Sequence, residues 1–290
     1  MKIGNKGEDI LKKVLIIIIS TILICLISLG IIGYYVEKDK SVEKNDVKTE
    51  EKVEQVEEEK LEVNIDEFDI SKIDGYTPGQ DLVNDALDEN DEEVTNVGGI
   101  NLPYSLSYKN MEIISIGKYS GKFIEDGSDT NKDNVLAIIV KNTSEEVIDY
   151  GEINMRIRGK NNIIKFELTN LKPGACTLVM ESSGNIEFNS DDKYIYLNSK
   201  SNMVSELSKM DSQINITTED KKITVKNLSE ESLDTLYVYY KTISPGNCYL
   251  GGITYRAKFE NLEVGKSVSV NTLHFYNANS EILKVESVKE

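Results

Sequence analysis

The sequence predicts a mainly β protein, with two tandem β-sandwich domains behind one transmembrane helix and an acidic, largely disordered stalk. Three observations support this order. An apolar run without a charged residue extends from Val14 to Val36, acidic residues concentrate directly after it, and strand-like runs begin near Gly98. A chain of 290 residues has room for one or two ordinary domains beyond such a helix.

The apolar run Val14–Val36 predicts a membrane-spanning helix that follows a short tail, residues 1–13. About 23 residues at 1.5 Å each reach roughly 34 Å, enough to cross a hydrocarbon core of about 30 Å. A cleaved secretory signal, the alternative, has a shorter apolar core. Lysines flank the run on both sides, so the positive-inside rule does not decide the orientation of the helix in the membrane. The orientation is therefore predicted from the resemblance of the run and its basic amino-terminal flank to a signal anchor. We therefore expect a single-pass protein of the cell membrane, with a cytoplasmic amino terminus and extracytoplasmic C-terminal domains.

Residues 37–97 are predicted to form the stalk. Residues 37–96 carry 22 acidic and 7 basic side chains, which accounts for most of the formal net charge of -17. Such a composition buries too little apolar surface to offset the entropy of ordering. A short amphipathic helix from about Gln80 to Asn90 is predicted within this stretch. The acidic balance also argues against nucleic acid as a partner.

From residue 98 the pattern has a period of two. Runs rich in β-branched and aromatic residues are bounded by Asn, Asp, Gly and Ser, as in strands joined by turns. We divide them into one domain at 98–200 and a second at 211–290. In the strand-like run 233–240, Leu236, Val238 and Tyr240 share the side predicted to be buried.

An internal duplication links the two predicted domains. Residues Val140–Asp149 match Val225–Asp234 at seven of ten positions without a gap. Downstream, Asn170–Gly174 corresponds to Asn261–Gly265. Asn-x-Ser after a strand supplies side-chain acceptors for a turn, and the later glycine gives a second turn its backbone freedom. Two copies of one β-sandwich are therefore expected.

This pattern, with Tyr239-Tyr240-Lys241 and Gly251–Tyr255, resembles membrane-anchored envelope proteins of low-GC Gram-positive bacteria, such as Clostridia, that carry tandem FxLYD-like domains. The resemblance covers roughly residues 104–290 and implies immunoglobulin-like β-sandwiches. Its motifs are structural turns and strands, and it implies no catalytic residue. The second copy departs from the first by an inserted segment, Pro245–Gly252.

The inventory of reactive side chains is small. There are three cysteines, one within the apolar run, and His274 is the single histidine. A disulfide framework is excluded, although Cys176 and Cys248 can be either one bridge or two buried thiols. We expect no catalytic residue, no cofactor and no metal. The segment Gly127–Asn134 has part of a calcium-loop spacing but lacks its glycine and closing glutamate, which favours a polar hairpin loop.

A possible partner surface is the remaining functional feature. Its predicted members are Tyr237, Tyr239, His274, Phe275 and Tyr276. We expect a non-catalytic binding or scaffold protein whose partner is an envelope protein or a cell-wall polymer. The alternatives are a structural or regulatory subunit of a membrane assembly and, less favoured, a hydrolase using paired carboxylates.

Overall fold

The computed structural model of the chain describes residues 61–79, 100–106 and 110–289, which all belong to one compact unit. These residues form fourteen β-strands, and the predicted mainly β fold is confirmed. The strands are β1 (Tyr76–Pro78), β2 (Tyr104–Ser105), β3 (Met111–Phe123), β4 (Thr130–Asn142), β5 (Val147–Ile157), β6 (Ile164–Leu171), β7 (Cys176–Met180), β8 (Tyr194–Val204), β9 (Ile214–Glu219), β10 (Lys222–Asn227), β11 (Leu233–Ser244), β12 (Cys248–Leu262), β13 (Ser267–Asn271) and β14 (Ser280–Val288).

The predicted tail, the apolar run Val14–Val36 and the predicted helix Gln80–Asn90 lie outside the described residues. Within the described residues, no helix combines the length and apolarity that crossing a bilayer requires.

The largest sheet, called sheet 1, contains eight strands in the order β1-β3-β4-β7-β12-β11-β14, with β2 also pairing with β3. Its strand pairs are antiparallel except where β7 meets β12, with Thr177 beside Tyr249 and Leu178 beside Leu250. This parallel contact joins the first predicted domain, residues 98–200, to the second, residues 211–290, which are called the first and second halves below. Sheet 1 therefore continues across the predicted domain boundary between residues 200 and 211.

Two smaller sheets cover sheet 1. Sheet 2 has the order β6-β5-β8, and sheet 3 has the order β13-β10-β9. Buried residues such as Ile138, Ile153 and Phe166 form a core with sheet 2, and this core also includes Tyr249 and Leu283 of the second half. The two halves thus share apolar packing as well as a sheet.

A second core, with sheet 3, contains the buried side chains of Leu236, Val238 and Tyr240, each at most 2% exposed. This confirms the side of the strand that the sequence pattern predicts to be buried. Alternate residues of β11 therefore lie on the opposite face of sheet 1.

Residues 61–79 differ from the stalk predicted for residues 37–97. They form two 3₁₀ turns, Ile65–Glu67 and Ile70–Lys72, followed by β1, which pairs with β3. Val63, Ile73 and Tyr76 are buried. The acidic composition of residues 37–97 as a whole predicts a disordered stretch, but the burial of these three side chains stabilises the folded conformation of residues 61–79.

The duplicated sequence forms the same turn twice. The Asn142 amide donates to the carbonyls of Glu146 and Leu171 at 2.8 and 2.9 Å, and its oxygen accepts from Ser144. In the second copy, the Asn227 amide donates to the carbonyls of Glu231 and Leu262 at 2.8 and 2.9 Å, and its oxygen accepts from Ser229. Each buried asparagine thereby ties its turn to the strand β6 or β12.

Candidate functional site

The first candidate surface is the outer face of β11, β12 and β14, called the tyrosine face. Tyr237 and Tyr239 are half-buried neighbours with ring centroids 6.2 Å apart. The Arg256 guanidinium lies 4.8 Å from the Tyr237 centroid, and the Lys284 ammonium lies 5.5 Å from the Tyr239 centroid. Such cation–π contacts hold cations and rings in a defined arrangement, each worth about 0.5–1 kcal/mol at exposed sites.

Hydrogen bonding fixes the Tyr239 ring further. Its hydroxyl donates to Glu286 Oε2 at 3.2 Å, and Lys284 lies 3.6 Å from the same carboxylate. Partial burial raises the pKa of Tyr239, with the Glu286 carboxylate acting in the same direction and Arg256 opposing it. The hydroxyl therefore stays protonated at neutral pH. The tyrosine face presents two oriented rings and two cations, a composition typical of protein-binding surfaces.

The second candidate surface is a cluster of Asp129, Tyr255 and His274, called the histidine cluster. His274 Nδ1 lies 2.8 Å from Asp129 Oδ2, and the Tyr255 hydroxyl donates to Asp129 Oδ1 at 2.6 Å. The rings of Tyr255 and His274 stack at 4.4 Å with 14° between their planes. Burial raises the pKa of Tyr255, and the Asp129 carboxylate adds to this shift. The carboxylate orients the imidazole, while the stacked tyrosine covers one of its faces.

The remaining two predicted surface residues have different surroundings. Phe275 is 2% exposed and meets Tyr240 edge to face, with centroids 5.3 Å apart. Tyr276 is half-buried, with the Lys221 ammonium 5.6 Å from its ring. Phe275 thus packs in the core with Tyr240, on the opposite side of β11 from the tyrosine face.

The structure therefore separates the five predicted surface residues. Tyr237 and Tyr239 lie together, whereas His274 joins Asp129 from the hairpin between β3 and β4. The predicted loop Gly127–Asn134 lies in a hairpin, because β3 and β4 pair antiparallel, but Thr130–Asn134 belong to β4, so only residues 127–129 of it lie in the connection. Arg256 was not predicted, although its alternation with buried Ala257 along β12 marks it as outward-facing.

A third feature, missed from the sequence, is a buried joint between the two halves. Residues 251–254 of β12 bulge away from β11, where Lys241 alone stands opposite them. The Glu125 carboxylate accepts from the backbone N–H groups of Met180, Gly252 and Ile253 at 2.9 to 3.2 Å. The Lys241 ammonium donates to the Gly252 carbonyl at 2.8 Å. Two charged side chains therefore satisfy the backbone that the bulge leaves unpaired.

Burial dominates the electrostatics of this joint. It raises the pKa of Glu125 to about 7, against the opposing effect of the N–H groups of Gly252 and Met180. It lowers the pKa of Lys241 to about 7, against the attraction of the Glu125 carboxylate. A lysine within the apolar run of β11 is the sequence signal that could have indicated the joint.

A second polar contact ties the halves together at Glu281, which is 1% exposed. Its carboxylate accepts from the Tyr249 hydroxyl at 2.8 Å and the Val63 backbone N–H at 3.0 Å. Lys172 forms an ion pair with the other oxygen of this carboxylate. The first half, the second half and the segment 61–79 therefore meet at one buried carboxylate.

Cys176 and Cys248 lie at the start of the neighbouring strands β7 and β12, and both thiols are free and buried in this structure. Burial raises the pKa of Cys176 to about 11 and that of Cys248 well above its ordinary value. Both thiols are therefore protonated and weakly reactive at neutral pH.

In residues 61–79, 100–106 and 110–289, no group of three or more His, Cys, Asp or Glu side chains is placed to hold a metal ion. A comparison with known protein families finds no family profile that matches the chain, and a search of curated proteins finds no match.

Proposed function

We propose that this chain is a membrane-anchored, extracytoplasmic binding or scaffold protein that presents two immunoglobulin-like β-sandwich modules. Val14–Val36 is the proposed anchor, and the acidic residues after it hold the modules away from the membrane. The proposed task is non-catalytic and depends on surface shape and charge. The proposed partner class is a protein or wall polymer of the cell envelope.

The observation that supports this proposal most is the joint between the halves. A sheet that runs through both halves, with Glu125 and Lys241 buried at the crossing, keeps surfaces on the two halves at a fixed distance. A scaffold benefits from this rigidity because a partner that contacts both halves loses less conformational freedom on binding. Flexible tandem domains would impose that entropic cost on every complex.

The tyrosine face supports a protein as the first partner to test. Tyrosine and arginine are among the residues enriched at binding hot spots, and the Arg256 guanidinium lies 4.8 Å from the Tyr237 ring centroid. Lys284 is shared between Glu286 and Asp149, which leaves Arg256 as the more available cation. A partner with an acidic rim around an apolar centre fits this arrangement.

The histidine cluster is consistent with a structural role in the same proposal. Asp129 ties the β3–β4 hairpin to the aromatic side chains of the second half, Tyr255 and His274. It therefore adds a third link between the halves, at the surface.

Capture from envelope extracts tests the proposal. We expect a soluble fragment, residues 59–290, to retain a partner that the double variant Y237A/Y239A loses. The variant V264A is the control, because Val264 is an exposed apolar residue, 48% accessible, in the turn between β12 and β13. Capture that occurs only with the full chain would instead favour a membrane subunit that assembles through its anchor, and capture unaffected by Y237A/Y239A would contradict the tyrosine face as the contact.

A further inference from the structure

Strand β13 of the second half is the counterpart of β7 in the first half. The repeated segments Asn170–Gly174 and Asn261–Gly265 lie just before these two strands. Counted from these segments, Cys176 of β7 corresponds to Ser267 of β13. Each strand pairs antiparallel with the strand that precedes the repeated Asn-x-Ser turn, β7 with β4 and β13 with β10. The two strands therefore occupy equivalent positions in the duplicated fold.

The outer edge of β7, the edge away from β4, is covered by other parts of the chain. Residues 249–250 of β12 pair with it in parallel. At the end of the strand, the Met180 N–H donates to the Glu125 carboxylate at 2.9 Å. All five residues of β7 are buried. An added parallel strand and a hydrogen-bond acceptor thus satisfy main-chain groups that would otherwise remain unpaired at this edge.

The equivalent edge of β13 is open. In the part of the chain that the structure describes, β13 pairs only with β10, and Ser267, Ser269 and Asn271 are exposed. The Thr272 N–H donates to the Lys221 carbonyl at 2.8 Å. Because the bonds of an antiparallel pair recur at every second residue, the main-chain groups of Ser267, Ser269 and Asn271 point away from β10. These are the positions that face the added strand in β7.

The two faces of β13 indicate which strand fits this edge. Val268 and Val270 are partly buried and pack against the core with sheet 3. Val268 corresponds to Thr177 of β7, which has Tyr249 beside it, and this tyrosine is 0% exposed. On the other face of β13, the three exposed side chains are uncharged. An extended segment with an aromatic or large aliphatic residue beside Val268 therefore matches the edge.

We propose that the outer edge of β13 binds an extended segment of a partner protein as an added parallel strand. The main chain of the segment bonds to the outward N–H and C=O groups of Ser267, Ser269 and Asn271, in the way that β12 pairs with β7. Strand addition gives affinity through main-chain bonds and specificity through alternate side chains. The site deepens the proposed function, on which the choice of an envelope protein as the source of the segment rests.

Hydrogen exchange of the full chain in detergent micelles, followed by mass spectrometry, tests the site. The probe is a peptide with the sequence of residues 247–253 and the substitution C248S, because this segment contains the residues that pair with β7. At about 5 mM peptide and a dissociation constant on the order of 1 mM, the outward amides of β13 should exchange roughly fivefold more slowly. The same peptide with L250P is the control ligand and should give no slowing, because proline lacks the N–H donor of a paired strand.

The variant S269P tests the edge itself, because it removes an outward N–H and leaves the bonds to β10 in place. S269A is its matched control. Both variants lose the bond between the Thr224 and Ser269 hydroxyls, but only S269P loses the backbone N–H. We expect the peptide to slow exchange at β13 in S269A as in the wild-type chain, and not in S269P.

No slowing at β13 in the wild-type chain, or equal slowing by the L250P peptide or in S269P, would overturn the site. The comparison of the two peptides on the wild-type chain does not depend on the folding of S269P. The result is also independent of protein capture through Tyr237 and Tyr239, so failure of the β13 edge and failure of the proposed function give different outcomes.

Discussion

Replacing Glu125 by alanine should destabilise the protein far more than replacing an exposed glutamate. The Glu125 carboxylate is the acceptor for three backbone N–H groups, those of Met180, Gly252 and Ile253. Alanine leaves these donors without their partner where β7 and β12 separate. It also leaves the buried Lys241 ammonium without a compensating charge nearby.

The magnitude follows from these losses. An unsatisfied buried donor costs about 1–3 kcal/mol, and removing one member of a buried charge pair costs about 3–5 kcal/mol. Because the terms overlap and water can enter, we expect E125A to lower the free energy of unfolding by about 3–5 kcal/mol. At about 2–4 °C per kcal/mol for a domain of this size, the melting temperature should fall by roughly 6–20 °C.

Urea denaturation of fragment 59–290, followed by tyrosine fluorescence and circular dichroism, measures this effect. The matched control is E263A, since the Glu263 side chain is exposed. It should change stability by less than about 0.5 kcal/mol. A loss below about 1 kcal/mol for E125A would refute the assignment of Glu125 as the acceptor that holds the joint.

Three further predictions concern the same fold. Burial raises the pKa of Glu125 from 4.5 to about 7, so the stabilising contribution of this group is fully present below pH 4.5 and is lost as the pH rises to 7. Burial lowers the pKa of Lys241 from 10.5 to about 7, so the contribution of this group is present above pH 10.5 and is lost as the pH falls to 7. Wild-type stability should therefore dip near pH 7 relative to E125Q/K241M in denaturation series across pH, and parallel curves would be the contrary result. N142A and N227A should cost similar amounts, about 2–3 kcal/mol each by chemical denaturation, because the two asparagines make the same bonds; a large inequality would argue against equivalent turns. G252A should cost about 3 kcal/mol or more, because its Cβ would lie 1.8 Å from the Glu167 carbonyl oxygen, and a nearly unchanged melting temperature would disprove this close approach.

Local patterns of the sequence were sufficient to predict most strands after residue 98 and the buried face of β11. The alternation along β11 places Leu236, Val238 and Tyr240 in the core, as the structure has them. The repeated Asn-x-Ser also predicts turns at the right positions, because the hydrogen bonds involved are mostly local in sequence. Period and turn chemistry depend on near neighbours, which a sequence shows directly.

The contacts that join the halves could not be predicted in this way. The parallel contact of β7 with β12 involves two residue pairs and has no period of its own. Glu125, in the connection between β3 and β4, and Lys241, in β11, meet the same backbone segment from positions distant in sequence. Likewise, the acidic composition of residues 37–97 predicted disorder, although three buried side chains within it hold residues 61–79 against the folded unit.

For the candidate surfaces, too, the sequence predicts the direction of single side chains but not their partners. The outward phase of Tyr237 and Tyr239 follows from alternation, whereas the position of Arg256 over Tyr237 depends on the register of β11 with β12. His274 finds Asp129 only when the β3–β4 hairpin and the end of β13 are brought together in three dimensions. Single side chains were therefore identified, but not their partners.

Labelling of one engineered cysteine in intact cells tests the proposed location most directly. Leu273 is 78% exposed, whereas Cys176 and Cys248 are 3% and 0% exposed, so a membrane-impermeant maleimide should react with L273C and not with these native thiols. In wall-stripped cells that express the full chain with the substitution C25S, L273C should be labelled as fully before lysis as after it, with the C25S chain lacking L273C as the unlabelled control. Labelling of L273C that appears only after lysis would place the folded unit inside the cell and contradict an exported binding protein.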